Sequence, residues 1–165
     1  MYNPINTLAD VLVAIHLGTI FVYIYVNYKS KILDYFFSLL LTVAISEGLK
    51  FVIHKPRPNL GLEGGSFPST HTAIAFNAAF FILIACHRLS MNQNREGKWA
   101  FLFKIFESMT KKQFTIAIFV SAVTVGVLRI VTGAHYIEDV LAGATFGMIF
   151  SVLFRYYDVS ARRLK

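Results

Sequence analysis

The sequence predicts an all-α integral membrane protein. About five transmembrane helices form a bundle, with one short interfacial amphipathic helix, in a single domain over residues 1–165. Three observations predict it. Hydrophobic residues make up 56% of the chain and charged residues 15%, against about a quarter charged in an ordinary soluble domain. The apolar residues come in long uninterrupted blocks of roughly the 17–25 residues a spanning helix needs. The basic residues fall between those blocks, and most fall where alternate loops would meet one side of a membrane.

The first span is expected from about Val11 to Val26. The stretch MYNPINTLAD before it has no Lys or Arg, so it lacks the basic start of a secretory signal and the helix is expected to stay. The second span is expected from Leu33 to Ile53. The third opens near Ser69 and ends near Cys86. Pro68 suits its first turn and Ser69 can cap it. Asn92 to Gly97 is polar and reads as a loop tip. Between Trp99 and Lys112, the residues Trp99, Leu102, Phe103, Phe106 and Met109 recur at helical spacing with Lys104, Glu107 and Lys111 opposite. This segment is too short to span and reads as an amphipathic helix on the inner leaflet. The fourth span is expected from Phe114 to Val131 and the fifth from Tyr136 to Tyr157. In the fifth, Gly143 and Gly147 are spaced to let another helix approach closely.

The formal net charge is +7. On a soluble domain this would suggest nucleic acid; here orientation in a bilayer explains it, and no nucleic-acid partner is expected. Lys29 and Lys31, the cluster from Arg88 to Lys112, and the C-terminal basic residues all fall on one side, taken as cytoplasmic. Tyr28, Tyr35, Trp99, Tyr156 and Tyr157 are expected near that inner interface. Only Lys50, Lys55, Arg57 and Arg129 of the 16 basic residues lie on the opposite side. Cys86 is the single cysteine, so no intrachain disulfide forms.

Those four outer cations run against the orientation bias and therefore need another reason. Lys50 and Arg57 leave the second helix, and Ser69, Thr70 and His71 open the third. Arg129 ends the fourth, and His135 and Asp139 open the fifth. Four helix ends thus bring polar groups to one depth, and ionisable groups near hydrocarbon default to a functional reading. His135 and Asp139 are four residues apart and share a helix face. The carboxylate there is expected to accept a hydrogen bond from one imidazole nitrogen and leave the other free to attack. A helix start near Ser69 offers unpaired N–H groups to an anion. Three cations facing one acid suit a phosphate dianion, whereas a divalent metal wants carboxylates and neutral imidazoles. A serine hydrolase built from Ser69, His135 and Asp139 would not need three cations.

Lys50 to Pro58 reads K-x6-R-P, Pro68 to His71 reads P-S-T-H, and Arg129 to Asp139 reads R-x5-H-x3-D. In this order, on membrane helices, they resemble the three signature motifs of the type 2 phosphatidic acid phosphatase (PAP2) family. The resemblance is close from Lys50 to Asp139 and loose elsewhere. It implies a helical membrane phosphatase that uses no metal or other cofactor and acts on a phosphate carried by a membrane lipid. By the same resemblance His135 is the nucleophile, Asp139 its orienting partner, and His71 the general acid. Lys50, Arg57, Ser69, Thr70 and Arg129 hold the phosphate. Two positions depart from the family pattern: Thr70 stands where Gly is usual, and Leu128 where Ser is usual.

The loop charges place the N-terminus outside, the C-terminus in the cytoplasm and the site on the periplasmic or exterior face of a multi-pass protein, expected in the plasma (inner) membrane. A lipid-to-lipid phosphotransferase would use the same nucleophile, and a non-catalytic lipid-binding protein is a third reading. The lipids in view are undecaprenyl pyrophosphate, lipid A 1-phosphate, phosphatidylglycerol phosphate and phosphatidic acid. His54 and Lys55 match no fixed motif position. Glu47 reads as an ion-pair partner of Lys50. His16, alone in the first span, reads as a packed histidine, and Glu138 as lying outside the site.

Overall fold

A computed structural model describes residues 4–59, 64–88 and 110–156, all of them helix or connecting loop. Five α-helices follow one another: α1 Pro4–Asn27, α2 Ile32–Ile53, α3 Thr70–Arg88, α4 Lys111–Val131 and α5 Ile137–Tyr156, with a 3-10 turn Lys29–Lys31 between the first two. By length and composition α1, α2, α4 and α5 contain spans fit to cross a membrane, whereas the apolar stretch of α3, Thr70–Ile84, is shorter. The fold class read from the sequence is the one observed. The segment expected to form the interfacial helix lies outside the described residues, except for its last three, which cap and open α4.

The helix boundaries have local causes. Pro4 opens α1, where its missing N–H removes no hydrogen bond. Helix α1 therefore begins well before Val11 and takes Asp10 into its second turn. At the end of α2, His54 adopts a left-handed conformation with φ of 49° and its N–H donates to the Lys50 carbonyl. Pro56 follows and prevents continuation. Thr110 caps α4: its hydroxyl accepts from the Gln113 amide at 3.2 Å, while the Gln113 side chain accepts from the Thr110 amide at 2.9 Å. This reciprocal pair satisfies two otherwise unpaired donors. Pro68 lies two residues ahead of α3, after a cis peptide bond, and not in the helix's first turn as expected.

Helix α3 is the centre of the bundle, with α1, α2, α4 and α5 packed around it. Its small residues Ala73, Ala75, Ala78 and Ala79 are completely buried, as is Ile82. The outer helices show the reverse pattern, with Val11, Phe36, Phe51, Val120 and Leu141 exposed, as a chain solvated by lipid requires. Tyr28 and Tyr35 are buried at the expected inner end instead of facing an interface. Tyr23 stacks on Phe114 with centroids 4.0 Å apart, and Tyr35 packs against Phe81.

The closest helix pair is α3 with α5. A Cβ on Gly147 would fall 2.2 Å from the Ala73 carbonyl oxygen, and one on Gly143 2.4 Å from that of Ser69. The G-x-x-x-G pair therefore faces α3. Beside Gly147, the buried Asn77 donates to Ser38 at 2.7 Å, Thr42 at 3.0 Å and the Gly147 carbonyl at 3.3 Å. This node joins α2, α3 and α5. His16 is a packed histidine: it bonds Ser121 through Nδ1 and the Ala75 carbonyl through Nε2, tying α1 to α3 and α4.

Candidate active site

Two loops at the same end of the bundle build the site, and each is pinned to the other. The loop after α2 folds back on itself where the Ser66 amide donates to the Lys55 carbonyl at 2.8 Å and its hydroxyl to the Pro56 carbonyl at 3.0 Å. Gly65 permits this, since a Cβ there would lie 2.9 Å from the Lys50 carbonyl oxygen. The turn between α4 and α5 uses Gly133 at φ of +67°, a conformation that favours glycine. The Asn59 amide donates to the Gly133 carbonyl at 2.9 Å, and Arg57 donates to the Ala134 carbonyl at 3.2 Å. These contacts bring the first motif against the third.

His135 sits in this turn, 1% exposed. Its Nδ1–H donates to the Ser66 carbonyl at 2.7 Å. A carbonyl only accepts, so the proton is on Nδ1 and the lone pair on Nε2. Burial, followed by the charges of Arg129 and Arg57, pushes the imidazole pKa down to about 3, against the pull of the Ser66 bond. The ring is therefore neutral at pH 7.

Asp139 is fully buried one turn away, but its Oδ2 lies 3.9 Å from His135 Nδ1, beyond hydrogen-bond reach. The expected Asp–His hydrogen bond is replaced in this state by the Ser66 bond. The Asp139 carboxylate instead accepts from the Tyr136 amide at 2.9 Å and from Lys55 Nζ at 2.7 Å. Lys55 also reaches Glu138 at 2.8 Å and lies over the Tyr136 ring, 4.5 Å from its centroid. Burial opposes the charge on Lys55, but the two carboxylates outweigh it and hold its pKa above the usual lysine value.

The remaining cations converge from three directions. Lys50 pairs with Glu47 at 2.8 Å, and Thr70 donates its hydroxyl to the same Glu47 oxygen at 2.6 Å. The residue that departs from the family pattern thus anchors the partner of Lys50. Arg129 is buried and donates to Asp10 at 3.2 Å, while its Nε has no acceptor among the described residues. His71 Nε2 lies 3.0 Å from the same Asp10 oxygen. The charges of Arg129, Arg57 and Lys50 all bear on both His135 and His71. Ser69 is buried: its amide donates to the Asp139 carbonyl at 2.9 Å and its hydroxyl pairs with Thr72 at 2.9 Å. Both groups are engaged within the protein.

Four contributors escape a reading by motif: Asp10, Lys55, Ser66 and Glu138. Ser66 acts through its carbonyl, which any residue carries, so no side-chain signal marks it. Lys55 had a signal, as a cation outside the orientation bias. Glu138 follows from Lys55, which reaches the exposed face of α5 as well as the buried one. Asp10 was hidden by a boundary, because starting the first span at Val11 leaves it outside the helix.

The chain matches the profile of the PAP2 superfamily over residues 31–163. Two solved structures share the fold. LpxE of Aquifex aeolicus superposes with a TM-score of 0.64 at 20% identity, covering 95% of this chain and 88% of its own. A transmembrane PAP2-type phosphatidylglycerolphosphate phosphatase of Bacillus subtilis superposes with a TM-score of 0.66 at 22% identity, covering 96% and 78%. No curated protein sequence matches.

Proposed function

The chain belongs to the PAP2 superfamily, and we propose that it hydrolyses a phosphate monoester or pyrophosphate on a membrane lipid through a phosphohistidine on His135. The observation that carries this reading is the state of that ring: neutral, with its Nδ1 proton held by Ser66 and its Nε2 left with a lone pair among three cations.

The chemistry follows from the placement of the groups. Lys50, Arg57 and Arg129 take the phosphate oxygens, and the Nε–H of Arg129, which has no acceptor among the described residues, supplies a donor. Thr70 and Ser69 stand at the start of α3, whose first amides have no intrahelical acceptor and favour an anion. Nε2 of His135 attacks phosphorus as the bond to the leaving oxygen breaks, and His71 gives that oxygen a proton. The new phosphohistidine carries positive charge on its ring, which Ser66 and the nearby Asp139 carboxylate stabilise. A water then attacks phosphorus and gives a proton back to His71, and inorganic phosphate leaves with His135 restored. No metal is required, since fixed cations neutralise the charge.

The site lies at helix ends, so a lipid headgroup reaches it while the tails remain among the exposed apolar side chains. The charge bias of the loops supports a site on the outer face of the plasma membrane. Undecaprenyl pyrophosphate, lipid A 1-phosphate, phosphatidylglycerol phosphate and phosphatidic acid are the candidate substrates.

The test is phosphate release by purified protein in detergent, with each of these four lipids supplied singly. Wild type is expected to release phosphate in EDTA. His135→Ala is expected to lose at least about a thousandfold, as removal of a covalent nucleophile does. Full activity in His135→Ala would sink the phosphohistidine route, and metal-reversible loss in EDTA would sink the metal-free one. Transfer of the phosphoryl group to an added second lipid, with no inorganic phosphate released, would identify a transferase.

A further inference from the structure

Asp10 is a charged group in the site that the hydrolytic route leaves without a role. It lies on α1, ahead of the residues that match the superfamily profile. Its Oδ1 is 3.0 Å from His71 Nε2 and 3.2 Å from an Arg129 terminal nitrogen. One carboxylate oxygen therefore joins the general acid to the phosphate clamp.

His71 must hold a proton until the leaving oxygen needs it. Lys50 from α2, Arg57 from the loop and Arg129 from α4 all place positive charge near the ring. The other carboxylates are committed elsewhere. Glu47 of α2 binds Lys50 and Thr70, and Asp139 of α5 binds Lys55 and the Tyr136 amide. Among the described residues, Asp10 is the carboxylate in direct contact with the His71 ring.

We propose that Asp10 is a positioning residue for the hydrolytic reaction, acting through His71. It accepts the Nε2 proton, which directs Nδ1 toward the reacting oxygens and sustains the charged ring. In the first step the Nδ1 proton passes to the leaving oxygen. The ring becomes neutral while Nε2–H stays on Asp10. In the second step Nδ1 takes a proton from the attacking water and the imidazolium is restored.

This inference rests on the hydrolytic reading, and the experiment separates the two. Wild type, Asp10→Asn and Asp10→Glu are compared on short-chain phosphatidic acid, whose alkoxide leaving group needs a proton, and on p-nitrophenyl phosphate, whose leaving group does not. Asp10→Asn is expected to lose on the order of 10- to 100-fold in kcat on the phosphatidic acid and much less on the aryl ester. The basic limb of its pH–rate profile is expected to move about one unit toward lower pH, with Asp10→Glu restoring part of both. Equal losses on the two esters with an unmoved basic limb would mean a structural role and overturn the inference. So would unchanged kinetics, or a lower KM with undiminished kcat, which would make Asp10 a competitor for the phosphate position. Wild type that releases phosphate from neither ester, nor from the other three candidate lipids, would overturn the hydrolytic reading and this inference with it.

Discussion

A single backbone oxygen, that of Ser66, decides which nitrogen of His135 keeps a lone pair. Because it holds the Nδ1 proton in the resting protein, Asp139 is free to bind Lys55. The depressed pKa of His135, about 3, has a consequence for stability with a definite sign. The unfolded imidazole titrates near 6.5, so the folded state loses stability as the pH falls from there toward 3, by up to about 1.4 kcal/mol per unit. Thermal unfolding in detergent at pH 7, 6, 5 and 4 is expected to show this loss in wild type, and a shallower one in His135→Gln. Identical slopes would contradict the neutral buried ring. At Lys55, replacement by Met strips a fully buried carboxylate of its cation. About 2–3 kcal/mol of destabilisation is expected, less than for a completely buried pair because Lys55 is partly exposed. Lys55→Arg should recover most of it in the same melting assay. The cations that gather at this end of the bundle were legible because their charge conflicts with the membrane around them. Ser66 was not, because its contribution is a carbonyl.

At the scale of elements, the seam between α3 and α5 sets how accurately the site is held. Asp139 lies in the first turn of α5 and Thr70 begins α3, and the Ser69 amide bonds the Asp139 carbonyl across the seam. Any separation of these helices therefore moves the motifs relative to each other. Gly147→Ala places a methyl 2.2 Å from a carbonyl oxygen. It is expected to lower stability by about 1–3 kcal/mol and to reduce turnover, which melting and phosphate release would check together. Asn77→Leu removes the two-proton amide donor shared by Ser38, Thr42 and the Gly147 carbonyl but fills the same space. A cost near 1 kcal/mol is expected, and a melting temperature equal to wild type would show that the polar node is dispensable. The glycine spacing was visible in sequence, but the helix it faces was not: spacing marks a thin face without saying what lies against it. Asn77 had no visible partners because Ser38 and Thr42 come from a helix more than thirty residues away.

For the whole molecule, apolar block length and basic loops were enough to read five helices and their order. What they left unread is which helix stands inside. The orientation is tested by single cysteines in a background lacking Cys86. An impermeant thiol reagent added from outside is expected to label position 61 and not position 94, and the reverse would turn the protein over. The central place of α3 also bears on how the chain enters the bilayer. This helix carries Thr72, Asn77 and a short apolar stretch, tolerable once four neighbours separate it from lipid. During synthesis α4 and α5 do not yet exist, and α3 meets hydrocarbon with polar side chains exposed on two sides. On an insertion scale it should partition weakly alone, so α1 and α2 would act as its first solvent. Placed singly in a reporter, α3 is expected to insert much less completely than α2, and to gain when α1 and α2 precede it. The same burial that makes the finished protein's centre polar makes its biogenesis depend on the order in which the helices arrive.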